Sequence, residues 1–340
     1  MVLVKSAPVI GNIALISLND DNQLPSLMLI TRRTLCVLFA LLIIAGAAWT
    51  ICLTTCDPLK RLPAPESNLS TVNDAMPPPK GRILNHVTLH SEKLGDIGIV
   101  ISLPDPLPTK KLPLLIVLGG LGTGGNNIRY IDDARKNAII GYDWPMPIRF
   151  PSGFTLIQEL PQLYHQVMTV PGQIVSAVGW LSSQPWADNT RISLLGFSLG
   201  ALAVPAVQDV AQHNSITIGW TIIAYGGAPL GALFTANPHM KPVWLRYALG
   251  PLIDFALWPC EPTRHLKQLH GHFLVLEGNN DELIPAAARS SLRDAVPNPK
   301  DVVIFDGNHM GVGKDKLVLL QRIIQTSRNW LINNGAVNAM

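Results

Sequence analysis

A chain of 340 residues that is 48% apolar and only 14% charged holds enough apolar material for a large buried core plus a membrane segment. A net charge of +3, with no basic run interleaved with aromatics, argues against a nucleic-acid partner. Cys36, Cys52 and Cys56 sit in or beside the N-terminal hydrophobic segment and Cys260 stands alone, so neither a disulfide framework nor a zinc site can be built.

Residues 1–33 form a leader of mixed composition, in which Met28 followed by Arg32 and Arg33 reads as an alternative start. Residues 34–53 carry no charge, and as a helix they reach about 30 Å, enough to cross a bilayer. The arginine pair places the N-terminal end in the cytoplasm and the remainder of the chain outside it, periplasmic or extracellular. An uncleaved anchor, a cleaved signal peptide and a lipoprotein signal ending at Cys56 all fit this segment, with Thr55 standing where a smaller residue is usual before a lipidated cysteine. Residues 54–80, rich in proline and polar side chains without hydrophobic period, read as a flexible tether, and the folded domain is expected over 81–340.

Residues 82–90 and 97–103 predict a hairpin. Residues 112–118, LPLLIVL, predict a strand buried on both faces, followed by a glycine-rich loop from Gly119 to Gly125. A short strand at 138–141 and two helices near 155–168 and 172–183 follow. Further strands are expected at 192–195, 216–225, 272–276 and 302–305, a helix at 201–211, and a closing helix over 316–333. Residues 226–268, with Trp244, Tyr247, Phe255 and Trp258, interrupt this alternation and read as either a crossover region or a cap over a binding pocket. Strands alternating with helices after an opening hairpin predict an α/β fold: a mostly parallel sheet covered on both faces.

Gly196-Phe197-Ser198-Leu199-Gly200 fits G-x-S-x-G between a buried strand and a helix. A serine nucleophile there must stand at the strand end with its hydroxyl free. The sharp turn that achieves this leaves no room for side chains two residues to either side. Serine needs a base, and the base an orienting acid. His309 follows the last strand in a loop containing Gly307 and Gly311, where its ring can turn back to the elbow. His86, His90 and His165 lie on an opening hairpin or a surface helix, His239 and His265 in the cap segment, and His213, His270 and His272 near strand starts. Asp281, just past the strand at 272–276, is the candidate acid, with Glu282 as the neighbouring alternative. Glu277 reads as strand end and Asp306 as serving its own loop. An oxyanion would be held by the backbone N–H of Leu199 and that of Leu121 or Gly120. The same glycine loop lacks the lysine of a phosphate-binding loop and the spacing of a dinucleotide site.

With these motifs in the order 112–122, 196–200, 278–285 and 306–309, residues 82–335 resemble an α/β-hydrolase, and 186–192 resemble the dienelactone-hydrolase and prolyl-oligopeptidase-like branch. Two features depart from the pattern: Gly119 stands where many members carry histidine, and the nucleophile is serine where dienelactone hydrolases carry cysteine. The resemblance implies hydrolysis of an ester, thioester or amide without metal or cofactor, and the leading reading is a small-molecule acyl ester cleaved through a Ser198–His309–Asp281 triad. The apolar cap segment favours a lipophilic acyl group. A non-catalytic binding protein on the same scaffold, and an acyltransferase, thioesterase or peptidase, are the alternatives.

Overall fold

A computed structural model of the chain describes residues 24–120, 124–131, 136–147, 154–237, 241–310 and 316–339. Most of the leader lies outside these residues. Helix α1, Leu24–Thr55, contains an apolar stretch, Arg33–Ile51, of mean hydropathy 2.4, none of whose side chains is buried. It belongs to a unit ending at Cys56, and the second unit runs from Asp57 to Met340.

Among the described residues of the second unit, nine strands form one sheet. In chain order they are β1 (Ser70–Ala75), β2 (Arg82–Ser91), β3 (Gly95–Pro104), β4 (Leu112–Leu118), β5 (Ala138–Tyr142), β6 (Ala187–Phe197), β7 (Trp220–Ala224), β8 (His272–Gly278) and β9 (Lys300–Phe305). Their spatial order is β1-β2-β3-β5-β4-β6-β7-β8-β9. The first three pair antiparallel and β3 meets β5 antiparallel, while every pair from β5 to β9 is parallel. β4 is buried at all its positions, as its unbroken apolar run requires of a central parallel strand. One face carries α2 (Phe154–Ser182), α3 (Leu199–His213), α6 (Pro262–Leu266) and α7 (Ala286–Ala295), which close a single continuous apolar core with the sheet. The other face carries α8 (Lys316–Asn333) and a 3-10 turn, Gly124–Tyr130.

Three expectations change. The segment read as a tether is part of the fold: Leu62 is buried in the core, the Glu66 amide donates to Ser176 Oγ at 2.8 Å, and β1 pairs with β2 from Ser70↔His90 to Ala75↔Asn85. β1 is exposed at every position, so its place depends on backbone pairing and leaves no hydrophobic alternation to read. The two helices expected near 155–168 and 172–183 are one, because Pro171 is accommodated inside α2. Residues 226–268 fold mainly as α4 (Leu230–Ala236), α5 (Val243–Ala256) and α6, and α5 turns Trp244, Tyr247 and Phe255 outward.

Candidate active site

Ser198 stands between β6 and α3 at φ 54°, ψ −113°, the strained turn that the flanking glycines make possible. A Cβ on Gly200 would come within 2.1 Å of the Leu118 carbonyl oxygen, and one on Gly196 within 2.6 Å of the Gly200 carbonyl. The elbow is also pinned across the sheet, where the Ser198 amide donates to the Ala224 carbonyl at 2.9 Å.

His309 comes from the loop after β9 and Asp281 from the loop after β8, and both are buried. Ser198 Oγ lies 2.9 Å from His309 Nε2, and His309 Nδ1 lies 2.8 Å from Asp281 Oδ2. An ionised carboxylate only accepts, so Nδ1 carries the imidazole proton and Nε2 is left to accept from the serine hydroxyl. Asp281 Oδ1 is held in turn by the amides of Leu283 and Ile284, each at 2.9 Å. These bonds use both carboxylate oxygens and set the plane of the group.

The other acids fall elsewhere. Glu282 Oε2 accepts from the His309 backbone amide at 3.1 Å, bracing the loop without reaching the ring. Glu277 pairs with Arg293 at 2.9 Å, and burial holds its carboxyl above the usual range. Asp306 Oδ1 accepts from Asn279 Nδ2 at 3.0 Å, tying the loop after β9 to the loop after β8 where its own loop was expected. His265 is fully buried between Asp209 and the Pro259 carbonyl, on the face away from Ser198. His239 lies outside the described residues.

Of the expected oxyanion donors, Leu199 opens α3 directly after the serine, where its amide belongs to the unpaired first turn. Gly120 faces Ser198: a Cβ placed there would sit 4.0 Å from Ser198 Cβ. Leu121 lies outside the described residues. Sequence reasoning missed the groups that hold this loop. The Trp144 indole donates to the Gly119 carbonyl at 3.1 Å, and Asp143 Oδ1 accepts from the Gly125 amide at 2.6 Å while its Oδ2 meets His86 Nε2 at 2.9 Å. Asp-Trp directly after a short strand was the available signal. Tyr225 was also missed. At φ 60° it sets its ring edge-on to His309 with centroids 5.5 Å apart, and burial beside Asp281 pushes its hydroxyl up to about 12.

A cavity of about 830 Å³ opens beside Ser198 and His309. Its described lining comes mainly from the sheet, from residues 119–137 and from the C-terminal segment with α8. No described lining residue comes from 226–268.

No family model and no curated relative matches the sequence. Solved structures do match the fold. Acetyl xylan esterase 1 from Thermoanaerobacterium sp. JW/SL YS485 superposes with a TM-score of 0.58 at 13% identity, over 82% of this chain and 92% of that one. An acetyl xylan esterase from Paenibacillus sp. R4 gives 0.57 at 16% identity, over 76% and 89%. A carboxylesterase from Lactobacillus plantarum WCFS1 gives 0.52 at 16% identity, over 76% and 99%. With its sheet order and strand-turn-helix elbow, the chain has the α/β-hydrolase fold.

Proposed function

We propose that this α/β-hydrolase-fold chain is a serine hydrolase that cleaves acyl esters through a covalent acyl-enzyme on Ser198. The observation that carries the reading is the unbroken hydrogen-bonded line from Ser198 Oγ through the His309 ring to Asp281, at the mouth of the cavity. Ser198 Oγ attacks the ester carbonyl carbon as His309 Nε2 takes its proton. Asp281 keeps the ring oriented and stabilises the imidazolium. The charge that develops on the carbonyl oxygen is met by the amides of Leu199 and Gly120, with Leu121 as the alternative to Gly120. Collapse breaks the bond to the alcohol, which leaves with the proton from His309. Water, deprotonated by the same nitrogen, then releases the carboxylic acid and restores the serine. The three similar structures are each of an esterase, and they support ester over amide as the bond cleaved.

We further propose that α1 holds the chain in a membrane with the catalytic unit on the extracytoplasmic side, in keeping with Arg32 and Arg33 at the N-terminal end of its apolar stretch.

The test of the catalytic reading is Ser198→Ala. The side chain makes no core contact that folding depends on, so the variant should keep its thermal midpoint while kcat on activated esters falls by a factor on the order of a million. A fluorophosphonate probe should label the wild type at Ser198 and leave the variant unlabelled. Wild-type turnover by pure Ser198→Ala would sink the proposal.

A further inference from the structure

The two faces of the sheet are not equally filled. The face under α2, α3, α6 and α7 carries one apolar core, whereas the α8 face carries two separate ones. One, around Leu195, Leu319 and Ile323, lies under α8, and the other, around Val117 and Ile128, lies under the 3-10 turn. Phe197 packs against both, and the cavity lies between them. The 3-10 turn lies in the connection from β4 to β5, on this face of the sheet.

The cavity has an apolar floor, Leu115, Val117, Leu195 and Phe197, and a wall on α8 where Leu320 and Ile324 stand among Gln321, Gln325 and Arg328. At one end stand Ser198 and His309, at the C-terminal edge of the parallel strands. At the other stand Asn137 and Asn338, joined by two hydrogen bonds of 3.2 and 2.9 Å, with Arg82 holding the Asn137 carbonyl at 3.1 Å. Asn137 immediately precedes β5, so the cleft follows the strands from edge to edge, about 20 Å at the rise of an extended chain.

Resting on the proposed serine-hydrolase reading, we infer that this cleft receives the acyl chain of the substrate, and that the chain is a long one. An acetyl group would occupy only its mouth. A zigzag of carbon–carbon bonds about 1.5 Å long needs on the order of twelve carbons or more to approach the asparagine clamp. A cleft that starts at Ser198 and runs on to the asparagine pair suits the acyl half, because the leaving alcohol must diffuse away while the acyl group stays bound to Ser198 until water arrives. Each methylene moved from water into the cleft favours the acyl-transfer transition state by a factor of about four.

The experiment uses the full-length chain in non-ionic detergent. kcat/KM for p-nitrophenyl dodecanoate should exceed that for p-nitrophenyl acetate by at least about a hundredfold. Ile324→Trp, which fills the cleft, should cut this ratio at least tenfold. Leu320→Phe, a smaller intrusion, should lower it in the same direction if the tryptophan variant fails to fold. Fluorophosphonate labelling at Ser198 reports in each variant whether the catalytic apparatus is assembled. A wild-type ratio near one, a ratio unmoved in a labelled variant, or dodecyl acetate cleaved better than methyl dodecanoate overturns the acyl assignment and leaves the hydrolase reading standing. A wild type that neither hydrolyses esters nor labels at Ser198 overturns the hydrolase reading, and the acyl-chain inference with it.

Discussion

Asp281 and Glu282 are adjacent, equally acidic and equally close in sequence to the same strand end, yet they meet different parts of His309. Asp281 reaches the ring nitrogen at 2.8 Å and Glu282 the backbone amide at 3.1 Å. Under the proposed mechanism, Asp281→Asn leaves the packing in place but lets the imidazole adopt the wrong tautomer. Its kcat should fall by about ten-thousandfold, and His309→Ala should fall at least as far. Glu282→Gln keeps an acceptor for the backbone amide and should change kcat by less than about tenfold, because a neutral hydrogen bond replaces a charge-assisted one. Steady-state kinetics on one activated ester compares all three. A silent Asp281→Asn beside a crippled Glu282→Gln would exchange the roles of the two acids.

At the scale of elements, the β8 end and α7 hold a second acid whose role is structural. Glu277 is buried against Arg293, and its Oε1 has no hydrogen-bond partner among the described residues. Burial raises its carboxyl above the ordinary 4.5, with the Arg293 and Arg289 charges acting in the opposite sense. The folded chain then binds this proton more tightly than the unfolded chain. The Glu277 contribution to stability is therefore greatest at acidic pH, declines as pH rises from 4.5 through the raised folded value, and is level above it. Glu277→Gln removes that titration. Denaturant melts of both proteins between about pH 4 and 8 should show the variant gaining on wild type as pH rises through this window. A stability difference that is flat, or a variant that loses ground to wild type as pH rises over the same range, would contradict the assignment.

For the whole molecule, the boundary between the two units has a direct consequence. A chain beginning at Asp57 keeps the short turn at 58–61, buried Leu62, the Glu66–Ser176 bond and strand β1, and should fold to a soluble protein. A chain beginning at Gly81 loses all of them and uncovers the β2 edge. Loss of buried Leu62 alone corresponds to about 2–5 kcal/mol, so thermal melts should show a clearly lowered midpoint or aggregation. Equal melting temperatures for the two truncations would restore the tether reading of 57–80. Full-length chain should fractionate with membranes whether or not Cys56 is changed to Ala, if α1 is the retained anchor. A mature chain that starts at an acylated Cys56 would identify a lipoprotein instead, and recovery from the cytosol would defeat both.

The residues that the structure brings together as the candidate triad could be picked from the sequence because each is tied to a local signal. G-x-S-x-G names the elbow through the two sites where a side chain cannot fit, and chain order with the ends of apolar strands led to Asp281 and His309. Burial periodicity located β4, β6, β8 and α8 within a few residues for the same reason. What lacked a local signal had to wait for tertiary structure. β1 is recruited by backbone hydrogen bonding to β2 and shows no apolar pattern of its own. Pro171 reads as a helix boundary until α2 is seen to run through it. The pocket is a matter of what does not fill a space. Its walls are ordinary core residues of β4, β6 and α8, and nothing local in their sequence marks them as lining a cavity rather than packing against one another.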